Sequence, residues 1–453
     1  MPVEERRKLR VAIVGSGPAA CYAADCLVKN RDVAAEVTMF EKLPTPWGLV
    51  RYGVAPDHQD TKGVISQFKR TVANPAVELH LNVEVGKHVS HQDLLDSHHA
   101  VIYAVGASVD RRLGVPGEDL PGSHSATDFV AWYNGHPSQV DREFDLSHER
   151  AVIIGNGNVA LDVARVLTMS AAELTKSDIA PHALEALKKS AVREVVVVAR
   201  RGLAEAAFST PELLSLLDRS DVDLVVEDRE VAASAQGLPV MTAKKLEVLT
   251  KAAARPAGES QRRIRLEFLR TPSEIVGAEK VEGVRFFVNE PDLEGGYRTT
   301  DEVELLDCGL VFRAVGYRGQ PIEALPFDDR AGILPNDSGR VVDPVDGQPV
   351  RGSYTTGWIK RGPSGVIGTN KKCASETVAS LIADFDEGLL DDPKGDADTI
   401  KTAVAAGQPD AITYRDWQQI DKYELAQGRE IGRPRVKVLG VERMLEIVRE
   451  SAQ

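Results

Sequence analysis

The chain has little cysteine. Its 453 residues include four, Cys21, Cys26, Cys308 and Cys373, with neither a CxxC pair nor a cluster among them. That spacing argues against a disulfide framework, a zinc site or a bound iron–sulfur cluster and is expected of reduced thiols in a cytoplasmic protein. Long hydrophobic runs are also missing. The longest candidate, from Val195 to Ala199, is flanked by Arg193 and Arg200 and falls far short of the roughly 18 residues of a membrane span, so no integral membrane association is expected. No apolar core of signal-peptide length follows the charged start Glu4-Glu5-Arg6-Arg7-Lys8, and export is not expected. Positive charge is in deficit: 55 Lys and Arg against 68 Asp and Glu leave a net charge of −13. This disfavours nucleic acid and anionic membranes as partners, although local basic patches still act over a Debye length of about 8 Å.

What the chain does contain is ordinary for a folded protein, with 43% hydrophobic and 27% charged residues. Its length corresponds to two to four domains at about 100–200 residues each. The clearest internal feature is an echo. Leu9-Arg10-Val11-Ala12-Ile13-Val14-Gly15-Ser16-Gly17-Pro18-Ala19-Ala20 is matched by Arg150-Ala151-Val152-Ile153-Ile154-Gly155-Asn156-Gly157-Asn158-Val159-Ala160. Each is a buried-strand run, a glycine loop and the start of a helical pattern. A second echo pairs Val101–Gly106 with Leu310–Gly316, two apolar strands ending in small residues. The pattern predicts two Rossmann-like units, one inserted in the other. Arg263–Leu269 and Gly283–Val288 alternate at period two and read as added antiparallel strands. Ala252–Gln261 reads as a loop, Ser170–Ser190 as an inserted helix pair, and Asp384–Asp398 as a solvated acidic loop. A third strand-loop-helix runs through Gly352–Gly368, its helix expected from Gly365 to about Asp384.

A dinucleotide fingerprint needs small residues for a tight turn, for close approach of the pyrophosphate and for helix–strand packing. Gly15, Gly17 and Ala20 fill these places in the first unit, and Gly155, Gly157 and Ala160 in the second. The residues at the end of each unit's next long strand separate the two ligands. The strand Glu36–Phe40 ends at Glu41, twenty-six residues after Gly15, where an acid accepts hydrogen bonds from an unphosphorylated adenosine ribose. In the second unit Val195–Ala199 ends at Arg200-Arg201-Gly202. Two guanidiniums there match a 2′-phosphate and point to NADP rather than NAD. Two dinucleotides in one chain imply hydride transfer between a nicotinamide and a flavin, with FAD in the unit that carries Glu41.

The stretch from Glu41 through Pro44-Thr45-Pro46-Trp47-Gly48-Leu49-Val50-Arg51-Tyr52-Gly53-Val54-Ala55-Pro56-Asp57-His58, together with Gly155-Asn156-Gly157-Asn158-Val159-Ala160-Leu161-Asp162-Val163-Ala164-Arg165, Arg200-Arg201-Gly202 and Gly357-Trp358-Ile359-Lys360-Arg361-Gly362-Pro363-Ser364-Gly365-Val366-Ile367-Gly368, resembles the adrenodoxin reductase family, and within it the bacterial NADPH-ferredoxin reductases. The resemblance runs from about Arg10 to the C-terminus. It implies an α/β, glutathione-reductase-like two-domain flavoprotein: an FAD domain of residues 1–108 and 326–453, and an NADP domain of residues 109–325. It implies FAD contacts at Ala19, Glu41, Leu49, Val85, Trp358 and the Gly365-Val366-Ile367 backbone. It implies NADP contacts at Asn156, Gly157, Asn158 and Val159 for the pyrophosphate, at Arg200 and Arg201 for the 2′-phosphate, and at Glu212 and Gly365 near the nicotinamide. A helix start at Gly365 would favour charge growing on the flavin's N1–C2=O edge by about 0.3–2 kcal/mol. His58 and Asp162 form a titratable pair that the resemblance brings near the flavin. Hydride transfer to N5 needs no side-chain base, so their expected role is positioning or later proton traffic, with a domain-bridging hydrogen bond as the alternative.

The implied activity is that of an FAD-dependent ferredoxin–NADP(+) reductase: hydride from NADPH to FAD, then single electrons to an iron–sulfur ferredoxin. No metal site is expected, and a monomer is favoured. A disulfide reductase would need a dithiol beside the flavin, whereas Cys21 and Cys26 read as packing residues. A subunit of a larger reductase, of the glutamate synthase small-subunit type, would be expected to carry cluster-binding cysteines, and a purely structural nucleotide-binding protein would leave both sites idle. Ferredoxins are typically acidic, so a basic rim is expected from among Lys244-Lys245, Lys360-Arg361, Lys371-Lys372 and Arg433-Pro434-Arg435-Val436-Lys437.

Overall fold

The computed structural model describes residues 8–226, 239–254, 258, 260–291 and 296–451. Strand β1 (Lys8–Val14) pairs in parallel with β2 (Ala34–Glu41), β2 with β3 (Val77–Leu81), and β4 (Ala100–Tyr103) with the other side of β1. The chain leaves this sheet through β5 (Val109–Asp110). It then builds β6 (Ser123–Ser125), β7 (Arg150–Ile154), β8 (Glu194–Val198), β9 (Asp223–Val226) and β10 (Arg263–Glu267). Next come β11 (Arg270–Val276), β12 (Gly283–Pro291) and β13 (Tyr297–Asp307), a separate antiparallel sheet. Strand β14 (Leu310–Arg313) completes a six-stranded sheet in the order β6-β14-β7-β8-β10-β9. The return strand β15 (Tyr317–Arg318) pairs antiparallel with β5, so the two crossings form one short ribbon. Strands β16 (Asn336–Asp337), β17 (Arg340–Val342), β18 (Pro349–Thr355) and β19 (Ile412–Thr413) finish the first sheet, whose order is β16-β17-β18-β4-β1-β2-β3-β19.

The burial explains the echo. Strands inside a parallel sheet are apolar on both faces, so alternate residues feed opposite cores. Leu9, Val11 and Ile13 enter one cluster while Ala12 and Val14 enter another. In the second sheet Ala151, Ile153, Val195 and Val197 face one core, and Val152, Ile154, Val196 and Val198 the other.

Three sequence expectations are corrected. Arg263–Glu267 is not an added antiparallel strand: it pairs in parallel with β8 and β9 inside the six-stranded sheet. Its alternation reflects one well-buried face, with Ile264 and Leu266 inside, and period two carries no information about strand direction. The last strand-loop-helix has its helix at Thr369–Asp386, not from Gly365. The intervening segment holds Pro363, Gly365 and Gly368, and the Thr369 hydroxyl accepts the Val366 N–H at 3.1 Å. Asp384 is no solvated loop residue either, since it is buried in that helix, accepts both arms of Arg340 at 2.8 Å and takes the Tyr354 hydroxyl. The inserted pair between Ser170 and Ser190 is present as helices Ala171–Thr175 and Pro181–Lys188. Of the expected 252–261 loop, Ala252 and Ala253 end a helix, and residues 255–257 and 259 lie outside the described residues.

The ribbon carries a testable charge. Burial pushes the Asp110 carboxyl up to about 6, and Asp128 adds to the rise; the Thr127 hydroxyl bond and Arg313 oppose it. An acid whose folded value exceeds its unfolded one binds a proton more tightly when folded, so stability falls as pH rises from about 4 through 6. Asp110→Asn should abolish that fall, a difference of about 1–2 kcal/mol after allowing for solvent screening of a half-buried group. Thermal midpoints of the two proteins from pH 4 to 8 test this: the gap should open between pH 4 and 7, and parallel curves would refute it.

Candidate functional site

Both glycine loops occupy the C-terminal edge of their sheet. Gly15 has φ +110 and a Cβ there would stand 2.6 Å from the Ala104 carbonyl; Gly155 has φ +123 and its Cβ would stand 2.2 Å from the Ala314 carbonyl. Each loop is therefore pressed against the strand end of the second sequence echo, leaving backbone alone at the turn. Gly17 and Gly157 cap the helices Pro18–Val28 and Asn158–Thr168, whose first amides are free of intrahelical partners and suit a pyrophosphate.

In the first unit Glu41 ends β2. Its carboxylate accepts the Ser16 N–H at 3.2 Å, the Ser16 hydroxyl at 2.7 Å and the Leu43 N–H at 3.1 Å. Burial raises its pKa and these donors oppose the rise. The same bonds fix the acid beside the glycine loop with lone pairs left for ribose hydroxyls. Val83 donates to the Glu41 carbonyl at 2.8 Å, and Val85 lies two residues on. Leu49, Val105 and Val366 are 41%, 43% and 62% exposed, open apolar surface that a flavin nucleotide would cover. Ala19 is buried at the helix start, and Ile367 packs partly against the same core. The Trp358 indole N–H donates to the Ser364 carbonyl at 3.2 Å, and its ring lies 5.6 Å from that of Tyr317 on the return strand. These residues fit FAD. Because the helix begins at Thr369, Gly365 offers the amides of a turn rather than a helix end.

In the second unit Gly157 has open space where a Cβ would lie. The Asn158 side chain accepts the Ser209 N–H at 2.8 Å through Oδ1. That bond tethers the turn before helix Thr210–Leu217, which carries Glu212. Val159 packs partly on the domain core and leaves its backbone for the phosphates. Arg200 and Arg201 are both exposed just past β8. Among the described residues neither guanidinium has a hydrogen-bond or ion-pair partner, so both are free for a phosphate. The donor set fits NADP.

Between the two loops the structure gathers His58, Asp162 and Glu212. His58 Nδ1 is 4.0 Å from Asp162 Oδ1, and Nε2 is 3.8 Å from Glu212 Oε2. At 4.0 Å the His58–Asp162 pair is no hydrogen bond. The domain-bridging contact is made by two neighbours that sequence reasoning passed over. Arg165 reaches Asp57 with two bonds of 2.7 and 3.2 Å, Asp162 at 2.6 Å and Glu212 at 3.5 Å. Asp162 and Arg165 stand three apart on one helix, a spacing that already suggests a pair; Asp57 comes from 108 residues away. Burial opposes ionisation of Asp57, yet the Arg165 bonds outweigh it and hold the carboxyl below its usual range. One guanidinium cannot satisfy three acids, so Asp162 is raised by burial, and Glu212 by burial and by the charge of Asp162. Although His58, Asp162 and Glu212 are close enough to share a cation, the cation in place is Arg165.

The basic-rim expectation is corrected. Arg433 and Lys437 are buried, and Arg435 points inward to Asp421 and Glu424 at 2.9 Å. Lys437 donates to Asn134 Oδ1 at 2.9 Å and to the Arg51 carbonyl at 3.2 Å, and Lys62 meets Asp178 at 2.6 Å. Lys62, Arg433 and Lys437 link the units of the two sheets, Arg435 pairs within the C-terminal helical region, and none of them is left unengaged for a partner. Lys360 is likewise buried, against Glu376 and Thr377, and Lys245 bonds the carbonyls of Ala206 and Phe208. Lys244, Lys371 and Lys372 remain exposed.

Among the described residues no helix is long and apolar enough to cross a membrane, and all four cysteines are free. The pattern of the pyridine nucleotide-disulphide oxidoreductases matches residues 9–202. A probable ferredoxin/ferredoxin–NADP reductase of Mycobacterium tuberculosis is 51% identical over 452 residues, 97% of this chain and 76% of that protein. The NADPH-ferredoxin reductase FprA of the same organism is 46% identical, covering 97% of this chain and 99% of its own. Its structure in complex with NADPH superposes with a TM-score of 0.92 at 45% identity, over 98% and 100% of the two chains. The mitochondrial NADPH:adrenodoxin oxidoreductase of Salvelinus fontinalis is 41% identical over 97% of this chain and 91% of that protein.

Proposed function

The chain belongs to the family of the NADPH-ferredoxin reductases and NADPH:adrenodoxin oxidoreductases, and from that membership we propose that it is an NADPH-ferredoxin reductase whose FAD domain is residues 1–108 and 326–453 and whose NADP domain is residues 109–325. The observation that carries this reading is the meeting of the two sites: Asp162, on the helix that begins at the NADP glycine loop, stands 4.0 Å from His58 of the flavin unit. Bound FAD supplies an acceptor that takes two electrons from NADPH and releases them singly to an iron–sulfur protein.

The chain's own residues supply position and electrostatics. Glu41 holds the flavin's adenosine ribose, and the amides around Gly17 and Ala19 hold its pyrophosphate. Asn156, Gly157, Asn158 and Val159 present backbone to the NADP pyrophosphate, while Arg200 and Arg201 clamp the 2′-phosphate. Glu212 and Gly365 flank the nicotinamide end. Arg165 locks the helix bearing Asp162 to the Asp57–His58 turn, which fixes the distance between the two rings; orientation of that kind is a large part of hydride-transfer catalysis. His58, with no bond to Asp162, is free to orient the nicotinamide or to pass a proton at Nε2 toward Glu212. Lys244, Lys371 and Lys372, the exposed members of the expected patches, are surface charges that can steer an acidic acceptor, an attraction that weakens with salt.

The disulfide reductase reading lacks its dithiol. Cys21 is buried, its Sγ is 3.4 Å from the Ser16 carbonyl, and burial pushes its thiol far up from the reactive range.

The deciding experiment follows the visible absorbance of the FAD-loaded protein without oxygen. NADPH should bleach the flavin band, and an oxidised iron–sulfur ferredoxin should restore it. A spectrum indifferent to NADPH would overturn the reading.

A further inference from the structure

We propose that Asn289 is a specificity-determining positioning residue, holding the backbone of the Arg200–Arg201 loop so that both guanidiniums converge on the 2′-phosphate. This rests on the assignment of those two arginines to that phosphate.

Three consecutive carbonyls at the end of β8 are tied to residues outside the parallel strands' own ladder. The Ala199 carbonyl accepts the Arg270 N–H at 3.0 Å, the Arg200 carbonyl accepts Asn289 Nδ2 at 2.7 Å, and the Arg201 carbonyl accepts the Leu269 N–H at 3.2 Å. Asn289 also donates its own N–H to the Leu269 carbonyl at 2.7 Å, so one residue of the antiparallel sheet holds both the loop and the segment that holds the loop. The arginine side chains, by contrast, are exposed. All the fixing is through the backbone, which leaves the guanidiniums unengaged.

The choice of asparagine is informative. Its two amide hydrogens are used, one on the Arg200 carbonyl and one on Thr271 Oγ1 at 2.8 Å. The Arg200 carbonyl can only accept, so the nitrogen must be on that side. The residue is 2% exposed, and its Oδ1 has no hydrogen-bond partner among the described residues. A buried acceptor left unpaired opposes folding. Leucine, of nearly the same shape, would avoid that cost but would leave the Arg200 carbonyl and the Thr271 hydroxyl without this donor, so what the amide adds over an apolar residue is the tie to the loop. Its place on β12 is also special: the register with β13 shifts between Phe287 and Asn289, and such a shift re-aims a side chain. The outcome is an amide aimed at the one loop whose position decides between two cofactors differing by a phosphate.

Asn289→Leu and the isosteric Asn289→Asp each remove the donor. In the FAD-loaded enzyme KM for NADPH should rise about five- to tenfold, the scale of one hydrogen-bonded anchor, with KM for NADH and kcat for both cofactors unchanged. Calorimetry should show 2′,5′-ADP binding weakened by the same factor and 5′-ADP binding unaltered. The thermal midpoint of Asn289→Leu should fall by only a few degrees, since two hydrogen bonds are lost and one unpaired buried acceptor goes with them. Equal losses with both cofactors would mean a merely structural role and overturn the proposal, as would an unchanged 2′,5′-ADP affinity in both variants. The Arg200→Ala, Arg201→Ala double variant run alongside separates two failures. If it loses 2′,5′-ADP and the Asn289 variants do not, this proposal alone falls; if none of them loses it, the phosphate assignment falls too.

Discussion

With Arg200 and Arg201 both replaced by alanine, the ratio of kcat/KM for NADPH to that for NADH should drop by about 10²–10⁴-fold, with nearly all of the change in the NADPH arm. Charge-assisted hydrogen bonds to phosphate contribute about 1.5–3 kcal/mol each, and each 1.4 kcal/mol is a factor of about ten. The structure supports an effect of this size because both side chains are exposed and lack partners among the described residues: removing them breaks no internal ion pair and leaves no buried charge. Their backbones are held independently, through the Ala199, Arg200 and Arg201 carbonyls, so the fold should tolerate the change. Steady-state kinetics with both cofactors and one artificial acceptor measure it. A double variant that still prefers NADPH by the parent's margin would remove the arginines from the site.

Arg165→Met should have the opposite character, costing stability far more than cofactor choice. Arg165 is 3% exposed and its guanidinium sits among Asp57, Asp162 and Glu212. Removing one partner from a buried charge cluster costs about 3–5 kcal/mol. The pH dependence gives the sign. With Arg165 present, Asp57 titrates below its usual range, and an acid of depressed folded pKa contributes stability above its unfolded value that is lost as pH falls. Without Arg165 three acids share a half-dry site with no hydrogen-bonded cation, and all three are pushed upward; stability then falls as pH rises. The difference in unfolding free energy between parent and variant should therefore be largest at pH 7–8 and shrink toward pH 4–5. Urea unfolding followed by tryptophan fluorescence would show it, and a gap independent of pH would contradict the electrostatic account. Arg165→Lys should recover only part, since an ammonium cannot make the forked bond to Asp57.

The glycine loops, Glu41 and the Arg200–Arg201 pair were legible because each solves a local problem. A strand that turns sharply into a helix needs residues without a Cβ at fixed offsets, and in the proposed reading the charged residue at the end of the next strand would face the ribose. The errors have equally local causes. Ile264 and Leu266 alternate with polar residues as well in a parallel strand as in an antiparallel one. Gly365 looked like a helix start because the apolar pattern begins there, but Pro363 and Gly368 delay the helix to Thr369. The basic run Arg433 to Lys437 looked like a docking surface because composition does not reveal which side of a chain faces solvent.

Four scattered cysteines and the lack of a long apolar run were plain in the sequence alone. The two fingerprints, read with their trailing acid and arginines, determined the cofactors, since periodicity and turn chemistry act over a few residues. How those parts are held together is settled by the folded chain. Arg165 finds Asp57 across 108 residues, Arg51 finds Glu424 across 373, and Asn289 finds the Arg200 carbonyl across 89. The strength of each contact comes from burial, which strengthens a paired charge or amide and penalises an unpaired one, and burial is a property of the closed fold rather than of any stretch of sequence.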